Sequence, residues 1–240
     1  VGHAFAKQFD YQIFLHQVAL EEAISAGTAA HKCAVIPHIC AEPDLQADKL
    51  ASRRSLGIKN SEFVVLCVAA WNMHHKRIDY LLTELAKTES KEILLFLCGQ
   101  PEKETIFLKS LASKLGINVR WHTFSQEELS VAYAAADLFV LPSLSEGLGA
   151  VLIEAGLYAL PIICHPHSAA QFILGENYPG LTDLSIPGTL ANQLLFYKES
   201  VDLIPEGKKT KQIVADKFSS KKLRNDFLTF VNQTLLEKSA

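Results

Sequence analysis

The chain has 240 residues, 49% of them hydrophobic and 20% charged, with a formal net charge of −3. That length holds one large or two small domains. The apolar share supports a packed core rather than a disordered chain, and the weak negative charge offers no electrostatic footprint for nucleic acid. In chain order, apolar runs at 11–15, 33–36, 63–69, 93–98, 119–122, 137–141 and 161–164 read as strands. Between them, segments at 18–26, 47–56, 79–88, 102–115, 127–136 and 150–158 read as helices. Strands separated by helical segments of this length argue for βαβ units and a parallel sheet. The strand runs are continuously apolar rather than alternating, as expected when helices cover both faces. Beyond about residue 185 the chain turns helical, at 188–197, 208–217 and 219–236.

The five cysteines, Cys33, Cys40, Cys67, Cys98 and Cys164, are odd in number and lack Cys-x-x-Cys spacing. They read as free thiols in a reducing, cytoplasmic compartment. No basic start followed by an apolar run marks a leader at Val1. With no initiator methionine there, the chain reads as an excerpt of a longer protein. Glu154 and Pro161 break the longest apolar stretches short of the roughly 18 residues a spanning helix needs, and no contact with a membrane surface is evident.

The most informative stretch begins Ala136-Asp137-Leu138-Phe139-Val140-Leu141-Pro142-Ser143 and continues through Glu146-Gly147-Leu148-Gly149 to Glu154-Ala155. It reads as a buried strand, a Pro/Ser break, a glycine turn and a helix. A glycine turn between a strand and a helix N-terminus lets backbone N–H groups approach an anion closely. Glu154 falls in the second turn of that helix, facing back over the strand's carboxyl end, where open α/β sheets bind ligands.

This string resembles the donor-binding motif of the group 1 (family 4) retaining glycosyltransferases, roughly Pro-Ser-x-x-Glu-Gly-Phe-Gly followed by Glu-Ala. Leu148 stands in the Phe position. The resemblance runs from Phe63 to about Phe218. It implies a Rossmann-like α/β domain with helices on both faces of a parallel sheet, the C-terminal half of a two-domain GT-B enzyme. Residues 1–34 would close the acceptor-binding domain and connect the two. Residues 35–218 would form the nucleotide-sugar donor-binding domain, and 219–240 a C-terminal helix. The acceptor, unidentified, would be held by a missing N-terminal domain.

The resemblance also implies roles. Glu146 would contact the transferred sugar and stabilise the transition state. Lys76 would neutralise the donor diphosphate, since cations at a strand end stabilise charge on a leaving group. The family's Arg, six residues before that Lys, is Ala70 here, and the Gly after it is Arg77. Arg77 or His75 is the candidate replacement, although Lys-type charge does not reproduce an Arg fork. Glu154 would bind the ribose diol. Gly147, Leu148 and Gly149 would offer backbone N–H groups, Gly99 close approach at the cleft floor, and the 121–125 turn with Phe124 an edge for the nucleobase. No metal or other cofactor is implied, because cationic side chains and helix N-termini carry the charge. Cys164-His165-Pro166-His167 offers ligand types, but no second pair at zinc-site spacing accompanies it. A Ser-Ala-Ala-Gln run at 168–171 replaces the family's Gly-Gly element. Two alternatives share the architecture: a nucleotide-sugar epimerase and a degenerate, non-catalytic sugar-nucleotide binder. No phosphate-loop, Ser-His-Asp or Gly-x-Gly-x-x-Gly pattern anchors kinase, hydrolase or dehydrogenase readings.

Overall fold

The computed structural model describes residues 9–38, 40 and 48–239. Expectations for residues 1–8, and for the helix start at residue 47, lie outside the described residues.

Five strands, β3 (Phe63–Val68), β4 (Ile93–Cys98), β5 (Val119–His122), β6 (Leu138–Leu141) and β7 (Ile162–Cys164), form one sheet in the order β5–β4–β3–β6–β7, every pairing parallel. The chain starts in the middle at β3 and winds outward through α3 (Ile78–Lys87) and α4 (Thr105–Leu115) to the β5 edge. Helix α5 (Gln126–Ala135) then returns it past β3 to β6, and α6 (Ala150–Leu157) leads to β7. The winding direction reverses between β3 and β6, so the loops leaving those two strands diverge and open a crevice at the carboxyl edge.

Strand alternation divides the core into two layers. Val64, Leu66, Leu94, Phe96, Phe139 and Leu141 face a layer holding Ala132 and Tyr133 of α5 with Leu152 and Ile153 of α6. Val65, Cys67, Leu95, Leu97, Leu138 and Val140 face Leu81, Leu82 and Leu85 of α3, and Leu108 of α4. Both faces are covered, which is why the strand sequences show no polar alternation.

A separate two-stranded parallel sheet pairs β1 (Gln12–Phe14) with β2 (Cys33–Val35), joined through α1 (Gln17–Ser25). The C-terminal helix α10 (Ser220–Ser239) returns to it: the Tyr11 ring lies edge-on to Phe230 at 6.2 Å, and its hydroxyl donates to the Thr234 carbonyl at 3.4 Å. Helix α2 (Lys49–Ser55) precedes β3.

Two helical segments depart from the sequence expectation. Helix α7 (Ser168–Leu174) forms where the sequence reading assigns no element. Its N-cap is His167, whose Nδ1 accepts from the Ala170 amide, and histidine is not among the usual capping residues. The helix expected at 208–217 is α9 (Leu203–Phe218), following α8 (Thr189–Ser200). Asp202 caps α9, and Pro205 falls in the first turn, where its missing N–H costs no hydrogen bond. Gly207, inside α9, sits where a Cβ would lie 1.9 Å from the Ala159 carbonyl oxygen. Close packing, not a turn, requires the glycine.

Candidate functional site

Two loops build the crevice. The first leaves β3. Asn72 folds it: its Oδ1 accepts from the amides of His75 (3.1 Å) and Lys76 (2.8 Å), and its carbonyl accepts from Ile78 at 3.0 Å. This turns Lys76 back toward the second loop, where its Nζ donates to Glu146 Oε1 at 2.5 Å. Arg77 has φ +50°, a left-handed conformation that glycine adopts without strain. Its guanidinium donates to the carbonyls of Pro142 (3.1 Å) and Leu184 (2.9 Å) and lies 4.0 Å over the Tyr80 ring. Those contacts offset the backbone strain and tie the β6 exit to the 184 region.

The second loop leaves β6. Ser143 is wholly buried, and its hydroxyl donates to the same Glu146 Oε1 at 2.5 Å. His75 Nε2 stands 3.1 Å from the Ser145 carbonyl and 3.6 Å from Glu146 Oε2. A Cβ at Gly147 would meet nothing within 4 Å. Leu148 is a buried core residue, so what it presents is backbone. Gly149, at φ +75°, is the N-cap of α6 and supplies no side-chain cap; the Leu152 amide donates back to its carbonyl at 2.8 Å, which leaves the Ala150 and Val151 N–H groups for an anion.

Between the loops lies a pocket of about 330 Å³, lined by Ala69, Ala70, Lys76, Gly99, Gln100, Glu146, Gly149 and Ala150 among others. Four sequence candidates thus meet there: Lys76, Gly99, Glu146 and Gly149. Ala70 lines it too, so the position of the replaced Arg faces the crevice. Gly99 has a reason of its own, since a Cβ there would lie 1.8 Å from the Ala69 carbonyl oxygen. Glu154 sits one turn below Ala150 on α6, half-buried, with Oε2 accepting the Tyr133 hydroxyl at 2.7 Å. Phe124 lies outside the pocket lining and closes a ring ladder: His122 stacks on Phe124 at 5.0 Å and on Phe96 at 4.8 Å. A larger, apolar groove of about 810 Å³ adjoins Gly149 from the other side, lined by Ile13, Leu15, Ile36, His38, Leu148 and Phe227.

The histidines after β7 are occupied by backbone. His165 Nδ1 accepts from the Leu184 amide at 3.2 Å, and His167 Nδ1 from Ala170 at 3.1 Å. Burial holds the His167 imidazole below its ordinary range, against the opposing pull of Glu146. Among the described residues, no three His, Cys, Asp or Glu side chains group to hold a metal ion. Sequence reasoning missed Asn72, Tyr133 and the hydrogen bond of Ser143. Ser143 belongs to the quoted motif, whereas the other two carry no local signal, because their partners are brought by the fold.

The fold and the crevice define a Rossmann-like α/β protein whose charged groups gather at the switch point of a parallel sheet. The chain belongs to the glycosyl transferases of group 1, whose family model matches residues 48–193. It is 33% identical over 115 residues to the lipopolysaccharide glucosyltransferase WaaG of Escherichia coli (strain K12), covering 46% of this chain and 30% of that protein. It is 36% identical over 124 residues to the D-inositol 3-phosphate glycosyltransferase of Mycobacterium sp. (strain KMS), covering 48% of this chain and 27% of that protein. Among solved structures, Anabaena Alr3699/HepE in complex with UDP and glucose superposes with a TM-score of 0.84 at 21% identity, over 96% of this chain and 65% of that one. The aligned segments thus span about a third or less of these two curated relatives.

Proposed function

We propose that this chain is the donor-binding domain of a retaining glycosyltransferase, which passes a sugar from a nucleotide-sugar to an acceptor. The observation that carries the reading is the meeting of Lys76 and Glu146 at the switch-point pocket, beside the uncapped N-terminus of α6. The complexes of Alr3699/HepE with UDP and with UDP-glucose support a nucleoside diphosphate as the anion. The relatives named above favour transfer over epimerisation.

In this reading the diphosphate competes with Glu146 for the Lys76 ammonium. Lys76 and the N–H groups of residues 147–150 then take up the negative charge that grows as the bond from the sugar's anomeric carbon to the diphosphate breaks. No metal or other cofactor is needed, because these groups supply the charge. Glu146, released toward the sugar, stabilises positive charge at the anomeric carbon. Glu154 accepts from the ribose diol. The backbone beside Phe124 edges the base, and Arg77 acts at one remove by fixing the β6 exit. The acceptor is held by a domain beyond this chain. Residues 1–34 belong with that domain's end and the connection, 35–218 with the donor domain, and 219–240 with the C-terminal helix segment, whose described helix α10 reaches back to Tyr11.

We assign the protein to the cytoplasm from its five free cysteines. No helix among the described residues is long and apolar enough to cross a membrane.

Calorimetric titration of the chain with UDP, GDP and ADP tests the binding step. One of them should bind and displace little else, and saturation by none would overturn the reading. Positioning supplies on the order of 7–11 kcal/mol of such catalysis, so the chain alone should transfer no sugar. Acceptor glycosylation by the purified 240-residue chain would overturn the two-domain assignment.

A further inference from the structure

We propose that Tyr133 is a positioning residue for the nucleotide: its hydroxyl fixes the Glu154 carboxylate so that the remaining oxygen faces the ribose diol. The inference rests on the reading of Glu154 as the ribose carboxylate and adds the residue that orients it. Glutamate has three rotatable side-chain bonds, and immobilising it on a ligand costs conformational entropy. A carboxylate already held in place avoids part of that cost. Tyr133 donates to Glu154 Oε2 at 2.7 Å, and among the described residues Oε1 carries no hydrogen bond. The donor is itself immobile. Tyr133 is only 2% exposed, stacks on Tyr158 at 5.2 Å and 15°, and tilts against Phe139 at 6.0 Å. It therefore reaches a ligand only through Glu154. Glu154 is not itself among the residues that line the pocket, but Ala150 on its wall lies one turn away on the same face of α6, and helical side chains lean toward the N-terminus, the direction of that wall. Burial, and then the Glu154 charge, raise the Tyr133 phenol well above its ordinary range, which favours the hydroxyl as donor.

The test compares UDP with 2′,3′-dideoxy-UDP, or the matching GDP or ADP pair if titration selects that base. The parent chain should prefer the ribonucleotide, and Glu154→Gln should abolish most of that preference. Tyr133→Phe keeps the buried ring and removes one hydroxyl. It should weaken the ribonucleotide about 3–10-fold, the scale of one hydrogen bond, and leave the dideoxy analogue unchanged. The double variant should discriminate no less than Glu154→Gln alone. Tyr133→Met, which fills similar space without a hydroxyl, repeats the measurement should the Phe variant fold poorly. Full ribose preference in a Tyr133 variant, with Glu154→Gln impaired, would overturn the positioning role while sparing the site. An intact preference in Glu154→Gln would instead remove the ribose assignment, and the role of Tyr133 with it.

Discussion

Two ion pairs bridge the seam between β3 and β6, one at each end of the strands, and they are built on opposite principles. At the amino end, Arg53 is buried, and every nitrogen of its guanidinium has a partner. Nε donates to the Ala135 carbonyl at 3.0 Å, Nη1 to those of Asn60 (3.3 Å) and Glu62 (3.2 Å), and Nη2 to Asp137. Asp137 in turn accepts from the Val64 amide at 2.7 Å and from Lys49 at 2.6 Å. At the carboxyl end, Lys76 has one recorded partner among the described residues, and Glu146 concentrates both Lys76 and Ser143 on a single oxygen. The first pair is nearly closed: four of the five guanidinium N–H groups and both Asp137 oxygens are engaged within the fold. The second keeps unused capacity beside a pocket, so a ligand can exchange places with one member. The same chemistry fastens the sheet at one end and offers charge at the other.

The sharpest break in that comparison comes from truncating each cation. Arg53→Ala leaves the Ala135, Asn60 and Glu62 carbonyls without their donor and Asp137 with only Lys49 and the Val64 amide, and should cost about 3 kcal/mol of stability, read by chemical denaturation. Lys76→Ala should cost far less stability yet remove about 2–3 kcal/mol of nucleoside diphosphate binding, the scale of charge-assisted hydrogen bonds. Equal stability losses in the two variants would erase the distinction.

Glu154→Ala comes next, with roughly 1.5–3 kcal/mol of binding lost by calorimetry. Unchanged affinity would move the ribose elsewhere.

Ala70 sharpens the offering end, because it lines the pocket where the family places Arg. Ala70→Arg adds a two-pronged donor and should strengthen diphosphate binding by about 1–2 kcal/mol, more than monophosphate binding. The two ligands are titrated at fixed salt, since screening alters both. An unchanged diphosphate preference would mean that another cation already fills the place, with His75 the first suspect at 3.6 Å from Glu146.

The smallest effect concerns pH. Burial lowers the His167 imidazole from its ordinary 6.5, so as pH falls the unfolded chain takes up the proton first. The stability this contributes is complete above the ordinary value and is lost as pH falls toward the folded one. His122 is lowered in the same direction, again by burial first. His167→Asn keeps a capping acceptor for α7 and should shrink, without abolishing, the drop in denaturation midpoint between about pH 7.5 and about pH 5.5. An identical drop in both proteins would show that His167 stays protonatable in the folded state.

Some of this was legible from local sequence. The strands of the sheet could be read because each is a short apolar run bounded by breakers, and the family string located Glu146 and Glu154 because a strand, a turn and a helix start are all local events. Lys76 was legible for the same reason, as a cation shortly after a strand.

What only the tertiary structure decided is where those groups point. The strand order, with β6 beside β3, is a long-range pairing that no window of sequence contains, and it is what brings Lys76 to Glu146 across 70 residues of chain. Packing assigned Arg77 to two carbonyls, although its place after Lys76 suggested the diphosphate. Packing also gave Gly99 and Gly207 their reasons, since in each case the backbone of a distant element passes where a Cβ would stand. Tyr133 joined the site by the same route. Composition made it a core aromatic, and only the approach of α5 to α6 set its hydroxyl against Glu154. Sequence determines propensities and the chemistry available along the chain. The partners of buried polar groups are fixed by close packing, which is settled only when all the elements are in place.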